Sequence, residues 1–262
     1  MLQIMWSAFL HVVPPSLATT LPCFLFQLVA FWSLSAAFMV LDVFHWPEFF
    51  YKHKLQKEQV VDLDTLRKVL RNVAANSFGL TLPAMLFSYF CQVGRFSLRI
   101  DEQLPTVSTV VFEVVASLLA LEITFYYVHW SFHSKWLYRY HKMHHELTAP
   151  VGMGAFYMHG SEFVAMALAG CVAAMAVHAH VLSASLYFAI GAGGGVMNHS
   201  GFRMPWTPQW MHDPDYHDFH HECFSSNISF LGVMDWIHGT NGPWLERQAK
   251  AKRATLTVPE QM

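Results

Sequence analysis

The chain alternates between long apolar stretches and shorter polar segments. A helix needs about 20 mostly apolar residues to cross the hydrocarbon core of a bilayer. Residues 20–44, 76–93 and 107–128 come close to or exceed this length, and 162–197 is long enough for a hairpin of two helices. The pattern predicts an all-α, polytopic membrane helical bundle with about four to five spans.

The polar segment 52–75, between the first two predicted spans, has a different character. It is rich in lysine and arginine, and Val60, Leu63, Leu66 and Leu70 recur at helical spacing. This pattern predicts an amphipathic helix on the bilayer surface. Because basic loops favour the cytosolic side, we expect this segment in the cytosol, and the later crossings then return the chain to the same side.

Composition favours a membrane protein and excludes nucleic-acid binding. Of 262 residues, 54% are hydrophobic and 13% are charged, about half the charged share of an ordinary soluble domain. The formal net charge of -2 provides no basic field for a polynucleotide. The four cysteines show no C-x-x-C spacing, which disfavours a zinc knuckle and a disulfide framework.

Histidines are concentrated in short clusters that follow the predicted spans. His129 and His133 form H-x-x-x-H, and His141, His144 and His145 form H-x-x-H-H. His199 stands alone, and a second H-x-x-H-H consists of His217, His220 and His221. Because the topology returns the chain to one face, we expect these clusters to meet in a cytosolic histidine-rich metal cap. Residues three or four apart share a helix face, and an adjacent histidine points about 100° away, so each triplet can serve two neighbouring metals.

The number and type of these donors favour a pair of redox metals. Neutral imidazole is a common metal ligand, and nine donors are too many for one ion. Solvated histidines without a metal would not be expected to follow the topology. A mononuclear zinc hydrolase would need an H-E-x-x-H motif, which the sequence lacks. A haem, with two axial ligands, would leave most of the histidines unexplained. Two irons per chain with dioxygen as co-substrate are preferred, because iron supports oxidation of an unactivated C–H bond and zinc has no redox chemistry.

At these positions the sequence resembles the membrane fatty acid hydroxylase and sterol desaturase superfamily, and within it the sterol 4-methyl oxidases and cholesterol 25-hydroxylases. The similarity runs from about residue 112 to 244 and is carried by HWSFHSKWLYRYHKMHH, APVGMGAFYMHGSE, NHSGFRMPW, HDFHHECFSSNIS and MDWIHGTN. The chain departs from the family pattern at Gly160, where proline is usual, at Asn198 and at His238.

The resemblance implies a multi-pass protein of the endoplasmic reticulum with its active site facing the cytosol. It implies that the iron ligands are the nine clustered histidines, and it makes His159 a ligand or a hydrogen-bond partner of one. It also implies a separate electron donor, a cytochrome b-type carrier with its reductase. We expect that donor to dock at the basic residues Lys135, Arg139 and Lys142.

The expected reaction is oxygen-dependent hydroxylation of a C–H bond in a sterol-like or fatty acyl membrane lipid. A lipid or sterol desaturase would use the same ligands, and a non-catalytic lipid-binding scaffold would keep the same helices, so both alternatives stay open. We expect residues 1–106 to form N-terminal spans and the interfacial segment, 107–246 the catalytic domain, and 247–262 a polar tail.

Several other polar residues are candidates for supporting roles. His212 and Asp218 are expected as ligands or as hydrogen-bond partners of ligands. Glu122, within the third span, is expected either at the metal pocket or in an interhelical hydrogen bond. His178 and His180, near the hairpin turn, are expected to face water or lipid headgroups.

Overall fold

Helices make up the regular structure of the described part of the protein. This computed structural model describes residues 1–58, 62–205 and 214–257, where it contains isolated β-bridges but no β-strand. A π-helical turn and two short 3-10 turns lie at Ala75–Leu80, His144–Glu146 and Gly152–Phe156. The α-helices are α1 (Leu2–Val12), α2 (Pro15–Phe44), α3 (Glu48–Tyr51), α4 (Leu63–Ala74), α5 (Thr81–Phe90), α6 (Val107–Phe132), α7 (Tyr138–His141), α8 (Gly160–Ala176), α9 (Val181–Asn198), α10 (Pro214–Cys223), α11 (Val233–His238) and α12 (Gly242–Thr257).

The long apolar helices form a bundle of membrane-crossing length. Within the described ranges, four stretches are long and apolar enough to span a bilayer: Pro15–Phe44, Leu63–Phe90, Val107–Phe132 and Val181–Asn198. The shorter apolar helix α8 forms the predicted hairpin with α9. Large apolar side chains such as Val29 and Phe112 are exposed on the outer surface, as expected where helices contact lipid. The predicted all-α, polytopic membrane bundle is confirmed.

The second part of the predicted amphipathic segment, from Leu63 onward, forms one continuous helical stretch with the second span, Leu63–Phe90. Asp62 caps its start by accepting hydrogen bonds from the backbone N–H groups of Asp64 and Thr65, each at 2.9 Å. The apolar face of α4 buries Val69 and Val73 in a core cluster that includes the loop after α7. The apolar face of α4 therefore packs onto the histidine-bearing end of the bundle, and the placement of the segment on the bilayer surface stays a prediction.

At the opposite end of the bundle, a buried acid joins three chain segments. Glu113 on α6 forms an ion pair with Arg99 and accepts a hydrogen bond from the backbone N–H of His180 at 3.0 Å. His180 caps α9, with its Nδ1 accepting from the Leu182 backbone N–H at 3.2 Å, and its ring is fully buried against Trp6. The expectation that His180 faces water or headgroups is wrong, because the cap and the indole enclose it.

A second buried acid on α6 fixes the loop that covers the histidine end. The two carboxylate oxygens of Glu122 accept hydrogen bonds from the backbone N–H groups of Leu231 at 2.5 Å and Met234 at 2.9 Å. Glu122 therefore does not reach the metal pocket, and it bonds the backbone of the loop before α11 and of the first turn of α11 instead of another membrane helix. Its role is to tie the loop between α10 and α11 to the membrane bundle.

Replacing Glu122 by alanine should destabilise the protein, because two N–H groups lose their acceptors at a cost of about 1–3 kcal/mol each. The midpoint of thermal unfolding in detergent should fall for Glu122→Ala and fall less for Glu122→Gln, which keeps one carbonyl acceptor. Glu102→Ala, at an exposed position outside the spans, is the matched control and should unfold like the wild type. An unchanged midpoint in Glu122→Ala would contradict the anchoring role.

Candidate metal centre

Nine histidines of the sequence come together in two compact clusters. Within each cluster the potential ligand nitrogens all lie within 4.8 Å of one another. All of these histidines are buried except His133, which is partly exposed. The first cluster contains His129, His133, His141, His145 and His220, and the second contains His144, His199, His217 and His221.

Both H-x-x-H-H triplets are divided between the clusters. The first triplet contributes His141 and His145 to the first cluster and His144 to the second. The second triplet contributes its outer pair to the second cluster and His220 to the first. Histidines four positions apart share a helix face, whereas the histidine between them points to a different side. Each triplet therefore contributes ligands to both clusters, which places the two clusters next to each other.

The Nε2 atoms of the histidine rings face one another inside each cluster. In the first cluster, His141 Nε2 lies 2.9 Å from His133 Nε2 and 2.8 Å from His145 Nε2. In the second, His199 Nε2 lies 2.9 Å from His217 Nε2. These separations are those of donor atoms around a shared point, and they bring several lone pairs together in a buried space.

Backbone carbonyls hold the ring protons on the opposite nitrogens. His129 Nδ1 donates to Ile228 O at 2.6 Å, and His220 Nδ1 donates to Ser226 O at 2.7 Å. A neutral imidazole with its proton on Nδ1 has only a lone pair on Nε2. The Nε2 atoms of His144 and His199 lie 3.2 Å apart, and both Nδ1 atoms donate to backbone carbonyls, so these two Nε2 atoms cannot hydrogen bond to each other. A bound cation would remove this repulsion, and nitrogen donors suit iron, zinc or copper. The donor set therefore fits a metal centre.

Glu162, at the start of α8, is part of the site although the sequence analysis did not select it. Its Oε1 accepts a hydrogen bond from His141 Nδ1 at 2.5 Å, and its side chain is fully buried. Its Oε2 has no hydrogen-bond partner among the described residues. A carboxylate behind a ligating histidine fixes the ring and raises its basicity. The sequence signals were its position at the start of an apolar helix, three residues after His159, and its place at the end of the segment APVGMGAFYMHGSE.

Burial keeps the clustered histidines uncharged. It lowers the pKa of His144 to about 4 and the pKa of His199 to about 3. It lowers the pKa values of His217 and His221 well below the usual imidazole value, and repulsion from neighbouring rings acts in the same direction. At neutral pH these rings are therefore neutral and offer lone pairs to a cation.

An apolar cavity runs between the membrane helices and reaches both clusters. It contains about 1040 Å³ of empty space, including its opening. Its histidine end is lined by His129 of the first cluster and by His144, His199 and His217 of the second. Most of the remaining lining is apolar, as is usual for ligand cavities, and includes Met85, Leu121, Phe125, Phe156, Phe163, Met166 and Phe188. The cavity can hold an apolar molecule against the ring nitrogens.

The other candidates from the sequence lie apart from the clusters or outside the described residues. His159 is exposed, and its Nδ1 accepts from the Ser161 backbone N–H at 3.2 Å, which caps α8. Asp218 accepts a hydrogen bond from Gln56 Nε2 at 2.7 Å, and no described bond joins it to a clustered histidine. His212 lies outside the described residues. His159 and Asp218 are thus not brought to either cluster as expected, because His159 caps α8 and Asp218 Oδ2 bonds Gln56.

Comparison with known proteins points to one family. The family model described as fatty acid hydroxylase matches residues 114–240, a range that contains all the clustered histidines. Fatty acid hydroxylase domain-containing protein 2 of Homo sapiens is 30% identical over 244 residues, covering 91% of this chain and 70% of that protein. Methylsterol monooxygenase 1-1 of Arabidopsis thaliana is 29% identical over 201 residues, covering 73% and 67%. A very-long-chain aldehyde decarbonylase of Oryza sativa subsp. indica is 31% identical over 217 residues, covering 77% and 78%. No solved structure matches.

The metal-free protein should lose stability as the pH falls below about 6.5, the usual imidazole pKa in an unfolded chain. Because the folded pKa values of His144 and His199 are lower, the unfolded chain binds protons there that the folded chain does not. The free energy of unfolding therefore decreases with falling pH. After chelation, the thermal midpoint should be lower at about pH 5.5 than at about pH 7.5. His144→Asn/His199→Asn should weaken this dependence, and an equal dependence in that variant would contradict the explanation.

Proposed function

Because this chain belongs to the fatty acid hydroxylase family, we propose that it hydroxylates a C–H bond of a membrane lipid with dioxygen and two irons held by its nine clustered histidines. The observation that carries this proposal is the apolar cavity, which runs between the membrane helices and ends at ring nitrogens of both clusters. A cavity of this lining suits a lipid that enters from the bilayer.

The clusters divide the proposed ligands into two sets. His129, His133, His141, His145 and His220 would hold one iron, and His144, His199, His217 and His221 would hold the other. When bound, iron supplies the redox chemistry by which dioxygen oxidises an unactivated C–H bond. Iron is preferred over zinc because the reaction requires electron transfer.

The protein's own contribution is to orient the ligands and position the lipid. Glu162 accepts a hydrogen bond from the Nδ1–H group of His141 and so keeps the Nε2 lone pair of that ring directed into the first cluster. The phenylalanine, methionine and leucine side chains of the cavity exclude water and hold the target carbon beside the rings. One relative is named for methylsterols and another for very-long-chain aldehydes, and we propose a sterol-like or fatty acyl lipid for this chain.

We propose that the histidine end faces the cytosol, in the membrane of the endoplasmic reticulum, and receives electrons from a cytochrome b-type carrier with its reductase. A depression on this end is lined by Trp130, His133, Lys135, Tyr138 and Arg139. His133 is the one clustered histidine that is not fully buried, and it lines this depression, so a carrier bound there would lie next to a proposed ligand. Basic groups beside it suit an acidic carrier, and they also favour the cytosolic side.

Reversing the charges of the basic residues at this surface should slow the delivery of electrons by the carrier more than it slows the oxidation step itself. Lys135→Glu/Arg139→Glu/Lys142→Glu should slow turnover at least about tenfold with the reductase system, because charge complementarity controls the association rate. Turnover with a small chemical reductant should change little. Arg95→Glu, an exposed reversal at the opposite end of the bundle, is the matched control. Equal losses with both electron sources would argue against docking at this surface.

Elemental analysis of the detergent-purified protein tests the metal assignment directly. The wild type, produced with iron supplied, should contain about two irons per chain. His144→Ala and His145→Ala, adjacent in sequence but in different clusters, should each lower the iron content. His159→Ala, which removes an exposed cap, should retain the wild-type content. A wild type with no iron, or full iron content in both cluster variants, would refute the assignment.

A further inference from the structure

We propose that the cavity has a second binding point at its membrane end, where the amide of Gln27 binds a hydroxyl group of an elongated lipid. This inference rests on the proposed function, which identifies the end of the lipid that is oxidised. The environment of Gln27 identifies the polar group at the other end of the lipid. Gln27 lies in the interior of α2, among residues of membrane-spanning length and hydropathy.

Gln27 is a buried polar side chain whose amide oxygen is not hydrogen bonded by any described residue. It lines the cavity and is only 9% exposed. Its Oε1 is buried and has no hydrogen-bond partner among the described residues. A buried polar group without a partner is costly, most of all within a membrane where water is scarce. A ligand that completes its hydrogen bonds would offset this cost only while it occupies the cavity.

The packing of α2 against α9 places Gln27 far from the clusters. Cys23 Sγ lies 3.8 Å from Val181 O, and Leu34 Cδ1 lies 3.1 Å from where a Cβ on Gly193 would stand. The two helices therefore run in the same direction, and the same offset along the chain places Gln27 beside the first part of α9, near Ser185. His199, just after the end of α9, is then on the order of 20 Å away along the axis at 1.5 Å per residue. The cavity can hold a molecule with its polar group at one end and its oxidised carbon at the other.

The lining selects the chemistry of that polar group. No lysine or arginine lines the cavity among the described residues, so a carboxylate or phosphate would be buried without a counter-charge. Tyr187, also at the membrane end, donates its hydroxyl proton to Gly170 O at 3.1 Å. An aldehyde or ester carbonyl could accept from the Gln27 amide but could not donate to Oε1. A hydroxyl can do both, so a neutral lipid alcohol fits best.

Direct binding to the detergent-purified protein, produced with iron supplied and analysed for its iron content, tests the assignment. The probes are cholesterol against cholest-5-ene, and 1-hexadecanol against hexadecane, so that each pair differs only in the hydroxyl. The wild type should prefer the hydroxyl-bearing member of at least one pair by about tenfold or more. Preference in the sterol pair identifies a sterol alcohol, and preference in the other pair identifies a long-chain alcohol.

Gln27→Leu should abolish the hydroxyl preference while retaining the iron, and without a lipid it should raise the thermal midpoint because the unpaired amide is gone. Gln27→Met provides a second apolar side chain of similar length if the leucine variant fails to fold. Gln103→Leu, exposed and outside the cavity lining, is the matched control and should keep the preference. No preference in the wild type, or a preference that survives removal of the amide, would overturn the assignment.

The same samples separate this assignment from the proposed function. Oxygen-dependent product without any hydroxyl preference would remove the Gln27 subsite and leave the hydroxylase proposal standing. A hydroxyl preference that depends on Gln27, in a protein without iron or turnover, would retain the subsite and reject the hydroxylase proposal.

Discussion

The convergence of unprotonated ring nitrogens at one end of the bundle is the constraint on which the rest of the structure depends. Each contributing ring must direct a lone pair inward and must place its remaining proton elsewhere. His129, His144 and His220 do so by donating from Nδ1 to the carbonyls of Ile228, Tyr157 and Ser226. The loops that carry these carbonyls are therefore as much a part of the site as the histidines, since a shifted carbonyl would release the ring.

Buried acids hold these loops in place. Asp235 accepts hydrogen bonds from the backbone N–H groups of Ile228 at 2.9 Å and Ser229 at 2.8 Å. Glu122 holds the following residues of the same loop, and it lies on the helix that also carries His129. His129 and the loop that carries the Ile228 carbonyl are thus both attached to α6, which limits their relative movement. This arrangement also gives an intramembrane carboxylate the partners that its burial requires.

The parts of this architecture with a periodic signal were predictable from the sequence, and the parts that depend on long-range contacts were not. Run length predicts the spans, and four-residue spacing predicts that His141 and His145 share a site. Glu162 and Gln27 had no such signal, because an isolated polar residue in an apolar stretch has no period. His159 lies in a motif shared with a family, yet its nitrogen caps α8, which only the local backbone decides. The division at 106/107 and 246/247 stays a prediction, although the family match lies inside the central segment.

The two clusters have different surroundings, and we infer that they have different roles in the proposed reaction, one beside the lipid and the other beside the electron carrier. The cavity is lined by three histidines of the second cluster and by only His129 of the first. The depression at the outer face instead reaches His133, a member of the first cluster. In the proposed reaction, a lipid in the cavity would contact mainly the second cluster, while an electron carrier on the outer surface would approach the first. Because each histidine triplet contributes to both clusters, the two ligand sets are adjacent, so the carrier would not need to enter the cavity that holds the lipid.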